Sequence, residues 1–282
     1  MRYVSILRPF ALAALASSCL LTTSCRKTEV TADDITSAED SGQGEEENAF
    51  TADLAEAAAP QDAATSTSPA VSTLDLQRLV SGCGTRTYDA ATRTLTIDFG
   101  STNCLCPDGR YRRGKIMAVF SGPYRQVGAT VTINRTSYFV NDNQHLGTRI
   151  ITNTGNGSFN LDVQNASIIF ANNGGTTSWN SQRQYTRTAG FGTAIILDDE
   201  YAITGSLTGT NRRNVTYEAT IGQPLLKKFT IGCARHFVAG TINLTNNKSQ
   251  TLTLNYDPTG TQACDNIASV TLNGKSHTIT LR

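Results

Sequence analysis

Val215-Thr216-Tyr217-Glu218-Ala219-Thr220-Ile221 alternates apolar and polar residues without a break. Period-two alternation puts Val215, Tyr217, Ala219 and Ile221 on one face of a β-strand and Thr216, Glu218 and Thr220 on the other. The pattern recurs to either side. Upstream, Leu95, Ile97 and Phe99 alternate with Thr94, Thr96 and Asp98, and Phe159, Leu161 and Val163 with Asn160 and Asp162. Downstream, Val270 to Leu272 and Ile279 to Leu281 flank Asn273-Gly274, a dipeptide suited to a tight hairpin because both its residues tolerate positive φ. Further turn signals lie at Asp108-Gly109, Asn156-Gly157, Asn173-Gly174-Gly175 and Pro258 to Gly260. Apart from a helical turn or two at Leu74 to Val80, no apolar pattern of helical period stands out.

About a dozen strands joined by short turns must pair antiparallel, since parallel pairing needs long crossovers. So many strands curl or stack rather than stay flat. The expected fold is therefore all-β: an antiparallel β-sandwich or a strongly curved β-meander, with a closed β-barrel as the alternative. Strands such as Ile116 to Phe120 and Ser167 to Phe170, apolar on both faces, favour the first pair. A membrane-spanning barrel needs apolar outward positions in every strand, and Asn180 to Arg187 does not supply them.

The N-terminus reads as an export signal. Arg2 and Arg8 precede an uncharged apolar run, Pro9 to Ala16, and small or polar residues lead to Cys25. The run is shorter than the ~20 residues that cross a bilayer as a helix. Leu21-Thr22-Thr23-Ser24-Cys25 resembles the lipobox of bacterial lipoproteins, in the looser form of Bacteroidota-type bacteria, where Ser-Cys is a common ending. It departs from the usual pattern by placing Thr22 three residues before the cysteine; Cys19 is the competing site. The resemblance implies lipidation at Cys25 and anchoring in the outer membrane, facing the surface or the periplasm, and it carries no known activity. The expected organisation is a signal peptide at 1–24, an acidic disordered tether at 25–72 and one all-β domain at 73–282. From Arg26 to Ser72 the chain is mostly Ala, Ser, Thr, Glu and Asp, too poor in large apolar residues to offset the entropy of ordering.

A net charge of +1 hides an asymmetry. Only four of the 24 basic residues but twelve of the 23 acidic ones precede residue 76. The β domain is thus left with a charge of about +9, which suits an anionic glycan or protein partner. Nothing in the sequence singles out nucleic acid.

Five cysteines fall in the β domain, and an exported domain meets an oxidising compartment. Cys83 with Cys104 and Cys233 with Cys264 are the expected disulfides, each bracketing neighbouring strands, with Cys106 interchangeable with Cys104. Cys104-Leu105-Cys106 is one residue too short for a comfortable zinc chelate, and no metal or cofactor is expected. No nucleophile elbow, zinc-protease helix, phosphate loop or dinucleotide fingerprint is present. Asp198-Asp199-Glu200, the acidic cluster of the domain, reads as a solvated turn. If Trp179 to Arg187 is a strand, Trp179, Ser181, Arg183, Tyr185 and Arg187 share a face. Of these, Trp179, Arg183, Tyr185 and Arg187 are the candidate ligand surface, with Tyr111, Arg113 and Lys115 as a shorter second stripe. The expected function is a membrane-anchored envelope lipoprotein acting as a non-enzymatic structural or binding module; a secreted glycan-active or other hydrolytic enzyme is the alternative.

Overall fold

Each predicted alternating segment is a strand in the computed structural model, which describes Met1 and residues 29–58, 80–192, 196–230, 233, 236–247 and 251–281. The signal segment and Cys25 lie outside the described residues. The strands are β1 (Thr85–Asp89), β2 (Thr94–Asp98), β3 (Cys104–Leu105), β4 (Tyr111–Phe120), β5 (Thr130–Val140), β6 (Asn143–Gly155) and β7 (Ser158–Ile169). They continue with β8 (Thr176–Ala189), β9 (Glu200–Thr210), β10 (Thr216–Lys228), β11 (Phe237–Asn246), β12 (Thr251–Asn255), β13 (Ile267–Leu272) and β14 (Lys275–Thr280). All belong to one antiparallel sheet in chain order, with the two-residue β3 set aside against β4. The fold is therefore the strongly curved meander, in one sheet rather than two, with β1 and β14 as unjoined edges.

Curvature comes from bulges at sites only glycine fits. At Gly147 (φ +96°) the β6–β7 register slips, and a Cβ would sit 2.5 Å from the Ala166 Cα. At Gly114 (φ +88°) the β4–β5 register slips against Ser137. Each bulge bends its strand and tightens the local twist.

The sheet wraps around an α-helix, α1 (Ala32–Ala58), which corrects the disorder expected of the tether at 25–72 over those residues; 25–28 and 59–72 lie outside the described residues. Thr31 and Asp34 cap it reciprocally: the Thr31 amide donates to Asp34 Oδ2 at 2.8 Å, and the Asp34 amide to Thr31 Oγ1 at 3.3 Å. Asp33 and Asp34 also complement the positive end of the helix dipole. From Asp34 onward nearly every side chain is buried, charged ones included: Glu45 is 0% and Glu47 2% exposed. Composition misleads here because it weighs only apolar burial. This helix is ordered by charge complementarity with the sheet as well as by Thr51, Leu54 and Ala55, which face Leu95, Ile97, Ile116, Ala118 and Ile133. Gly44, costing about 1 kcal/mol relative to alanine in a helix, admits Trp179: a Cβ there would lie 3.3 Å from the indole.

Candidate functional site

Alternation along β8 is as predicted, but the shared face is the inner one. Trp179 (3% exposed), Arg183 (2%) and Tyr185 (1%) point at α1, so they are not the ligand surface expected of them. Arg187, half-buried at the end of β8, donates to the carbonyls of Ala189 and Gly190 and pairs with Asp199. Asp199 is thus a buried ion-pair partner rather than part of a solvated turn, and Glu200 turns instead to Lys228 at 3.7 Å. The second stripe does face outward, as a ladder of local contacts. Arg113 lies 3.9 Å over the Phe139 ring and reaches Asp142 at 2.5 Å, and Lys115 pairs with Asp98 at 2.8 Å.

The inner face of the sheet matches the helix charge for charge. Arg183 grips both oxygens of Glu45, its Nε at 3.0 Å from Oε2. Arg110 meets Glu46 at 2.7 Å, Arg135 meets Glu47 at 2.5 Å and Lys227 meets Asp53 at 2.9 Å. Towards the N-terminal end of α1, Arg213 holds Asp33 at 2.7 Å, Asn246 donates to Asp34 Oδ1 at 2.6 Å, and Arg212 pairs with Glu39. Arg149, fully buried, donates to the carbonyls of Leu146 and Gly147 and lies over the Trp179 ring. Aromatic packing completes the layer: Phe159 stacks on Tyr185 with ring centres 4.5 Å apart, and Tyr201 abuts both.

Burial sets the ionisation here. Loss of solvent raises Asp40 and Asp53 to about 6 against their partners Arg212 and Lys227, and raises Asp199 likewise to about 6. Burial lowers His145 to about 4, the opposing pull of Glu47 being the smaller effect. Glu47 stays below its usual value because the surrounding cationic groups, Arg135 among them, outweigh its own desolvation. Raised carboxyls bind protons more tightly folded than unfolded, so they add stability as pH falls through about 6. His145 acts oppositely, losing stability between its unfolded value of about 6.5 and 4. Three carboxyls outweigh one imidazole. The urea midpoint is expected to rise between pH 7 and pH 5, and to rise less in the Asp40→Asn, Asp53→Asn double variant. A wild-type midpoint that falls over this range would contradict the assignment.

A broad trough of about 730 Å³, open to a ligand, lies on the outer face across β7 to β11. Its walls include Asn165, Asn180, Thr208, Thr216, Glu218 and Asn247, all solvent-facing: Asn180, Thr208, Thr216 and Glu218 by strand alternation, Asn165 at the bulge in β7 and Asn247 in the turn after β11. The same alternation that buries Trp179 and Tyr217 turns Asn180 and Glu218 outward. Sequence reasoning missed the trough because its residues are ordinary strand-surface residues, united only by register: Asn180 lies opposite Thr208, and Thr208 opposite Glu218. Its lining carries hydroxyls, amides and a single carboxylate.

Cys233 and Cys264 form the expected disulfide, their Cα atoms 4.7 Å apart. The expected Cys83–Cys104 bond is not made; Cys83, Cys104 and Cys106 are thiols held close together. Among the described residues no group of three His, Cys, Asp or Glu side chains is arranged to hold a metal ion, and no helix is long and apolar enough to cross a membrane. Comparison with protein-family models, curated proteins and solved structures yields no match to this chain.

Proposed function

We propose that this chain is a lipid-anchored envelope lipoprotein whose β domain is a non-enzymatic binding module, with the outer trough as the seat for a neutral, polyhydroxylated chain such as a glycan. The observation that carries this reading is the trough itself, a concave surface furnished with hydrogen-bonding groups of both senses. An anionic partner loses its rationale. Arg110, Arg135, Arg183, Arg212, Arg213 and Lys227 account for much of the excess positive charge, and carboxylates of α1 answer them. Hydrolysis by paired carboxylates would need a second acid beside Glu218, and the trough lining has none.

Anchoring at Cys25 would hold the domain close. Thr31, the helix cap, lies six residues on, a reach of at most about 20 Å. The end of the sheet bearing Arg212 and Arg213 would then sit near the membrane.

An open trough making a handful of hydrogen bonds, each worth about 1 kcal/mol net, binds weakly, in the millimolar range. The protein is expected to be retarded on a neutral polysaccharide matrix, with little dependence on salt. Thr208→Trp, which fills the trough from the solvent side, is expected to abolish the retardation while leaving the unfolding midpoint unchanged. Retardation unaffected by Thr208→Trp, or found only on anionic matrices, would overturn this seat.

A further inference from the structure

Three thiols converge where the chain enters the sheet. Cys83 closes a tight turn, its amide and that of Gly84 both donating to the Val80 carbonyl. That turn lies against β3, since Cys104 Sγ reaches the Gly82 carbonyl at 3.4 Å. Cys106 opens the loop leading into β4, with its amide on the Arg110 carbonyl at 2.9 Å and its Sγ 3.9 Å from the Cys104 carbonyl. The Cys83 thiol contacts both of the others, and this mutual contact together with burial pushes it well above the usual thiol range. Cys104 and Cys106 do not face each other as equals. Cys104 is half-buried in β3, whereas Cys106 is buried beside the Arg112 guanidinium, which Asp108 holds by two bonds of 2.7 Å.

We propose that Cys83 is the shared partner of an exchangeable disulfide, bonded to Cys104 or to Cys106, with the remaining thiol able to displace the bonded one. Formation is a two-electron oxidation by a small disulfide such as oxidised glutathione. One cysteine thiolate attacks a glutathione sulfur and releases reduced glutathione. A second cysteine then attacks the mixed disulfide and releases another, so two protein thiols are oxidised as one glutathione disulfide is reduced. Exchange needs no further oxidant: the Cys106 thiolate attacks Cys83 Sγ of the Cys83–Cys104 bond, the new sulfur–sulfur bond forms as the old one breaks, and the Cys104 thiolate takes up a proton. Cys83 and Cys104 are the reachable pair, so the first bond joins them. Arg112 places a cationic donor on the sulfur that attacks next. Three thiols cannot all be paired with one another, so the oxidised cluster always retains a reactive one. The site sits beside the helix as well, since Arg110, which shares a backbone bond with Cys106, holds Glu46.

The full chain, its cysteines reduced, is treated with oxidised glutathione, alkylated with N-ethylmaleimide without reduction, and digested. Cys83 then lies in the tryptic peptide 79–86 and both partners in 94–110. Loss of two alkylations from these peptides is expected, with fragmentation of the crosslinked pair showing both the Cys83–Cys104 and Cys83–Cys106 linkages. Cys104→Ser and Cys106→Ser are each expected to form the remaining bond, and Cys83→Ser to keep both thiols alkylatable. A single linkage in the wild-type chain, or three alkylations after oxidation, would overturn the proposal. Because fragmentation of the wild-type chain separates these outcomes without any substitution, a variant that fails to fold leaves the test intact.

Discussion

Residues 73–282 produced without the preceding segment are expected to lack the native sheet, and a peptide spanning 29–58 added in trans is expected to restore it. Without α1, the guanidinium of Arg183 and the ammonium of Lys227, both buried, lose the carboxylates of Glu45 and Asp53, and Leu54 and Ala55 vanish from the core. Each buried charge left unpaired costs about 3–5 kcal/mol, so a few of them exceed the 5–15 kcal/mol by which domains are typically stable. The chain contains one tryptophan, Trp179, and its indole packs against Gly44 of the helix. Its emission is therefore a direct report of helix docking. Red-shifted emission from the shortened chain, shifting to the blue as the peptide is titrated in, is the expected signature. A shortened chain that unfolds cooperatively with a buried Trp179 would show that the sheet stands without its helix.

Glu45→Ala is expected to be among the most damaging single substitutions, lowering stability by about 3–5 kcal/mol in urea unfolding. Glu45 and Arg183 are both fully buried and joined through both carboxylate oxygens. Removal of one leaves the other charged in the interior, which is costlier than losing the attraction alone. The double variant Glu45→Leu, Arg183→Met is therefore expected to recover most of the loss, because neither charge remains to be desolvated. If the double variant is as unstable as the sum of its single changes, the pair acts through packing rather than through charge.

The strands were legible because their burial is one-sided: Val215 to Ile221 and Leu95 to Phe99 announce themselves by alternation, and Asn273-Gly274 by its turn chemistry. Alternation also grouped Trp179, Arg183 and Tyr185 correctly. It could not say which side was inside, since a face holding an arginine and a serine looks solvated until an acidic helix is placed against it. The helix was the harder case. Thr31-Ala32-Asp33-Asp34 carries a capping signal, and Ala49 to Ala58 is rich in helix formers, but no apolar stripe runs along it. The acidic excess before residue 76 and the basic excess after it were visible, and they are two sides of one interface. Reading them as separate properties of a tether and a domain hid the contact between them. Neither the trough nor the three-thiol cluster can be read from local sequence, because each is assembled by strand register or by loops meeting in space.

An inner helix has a consequence for how the molecule comes into being. Asp34 must meet Asn246, 212 positions away, and a Cβ at Gly42 would touch Leu281. A helix made early in synthesis therefore waits for strands made late. With its decisive contacts so distant along the chain, folding is expected to be slow, and an incomplete chain to have no stable stopping point. Such a polypeptide is expected to stay extended until the β13–β14 hairpin is available to close the sheet around its helix.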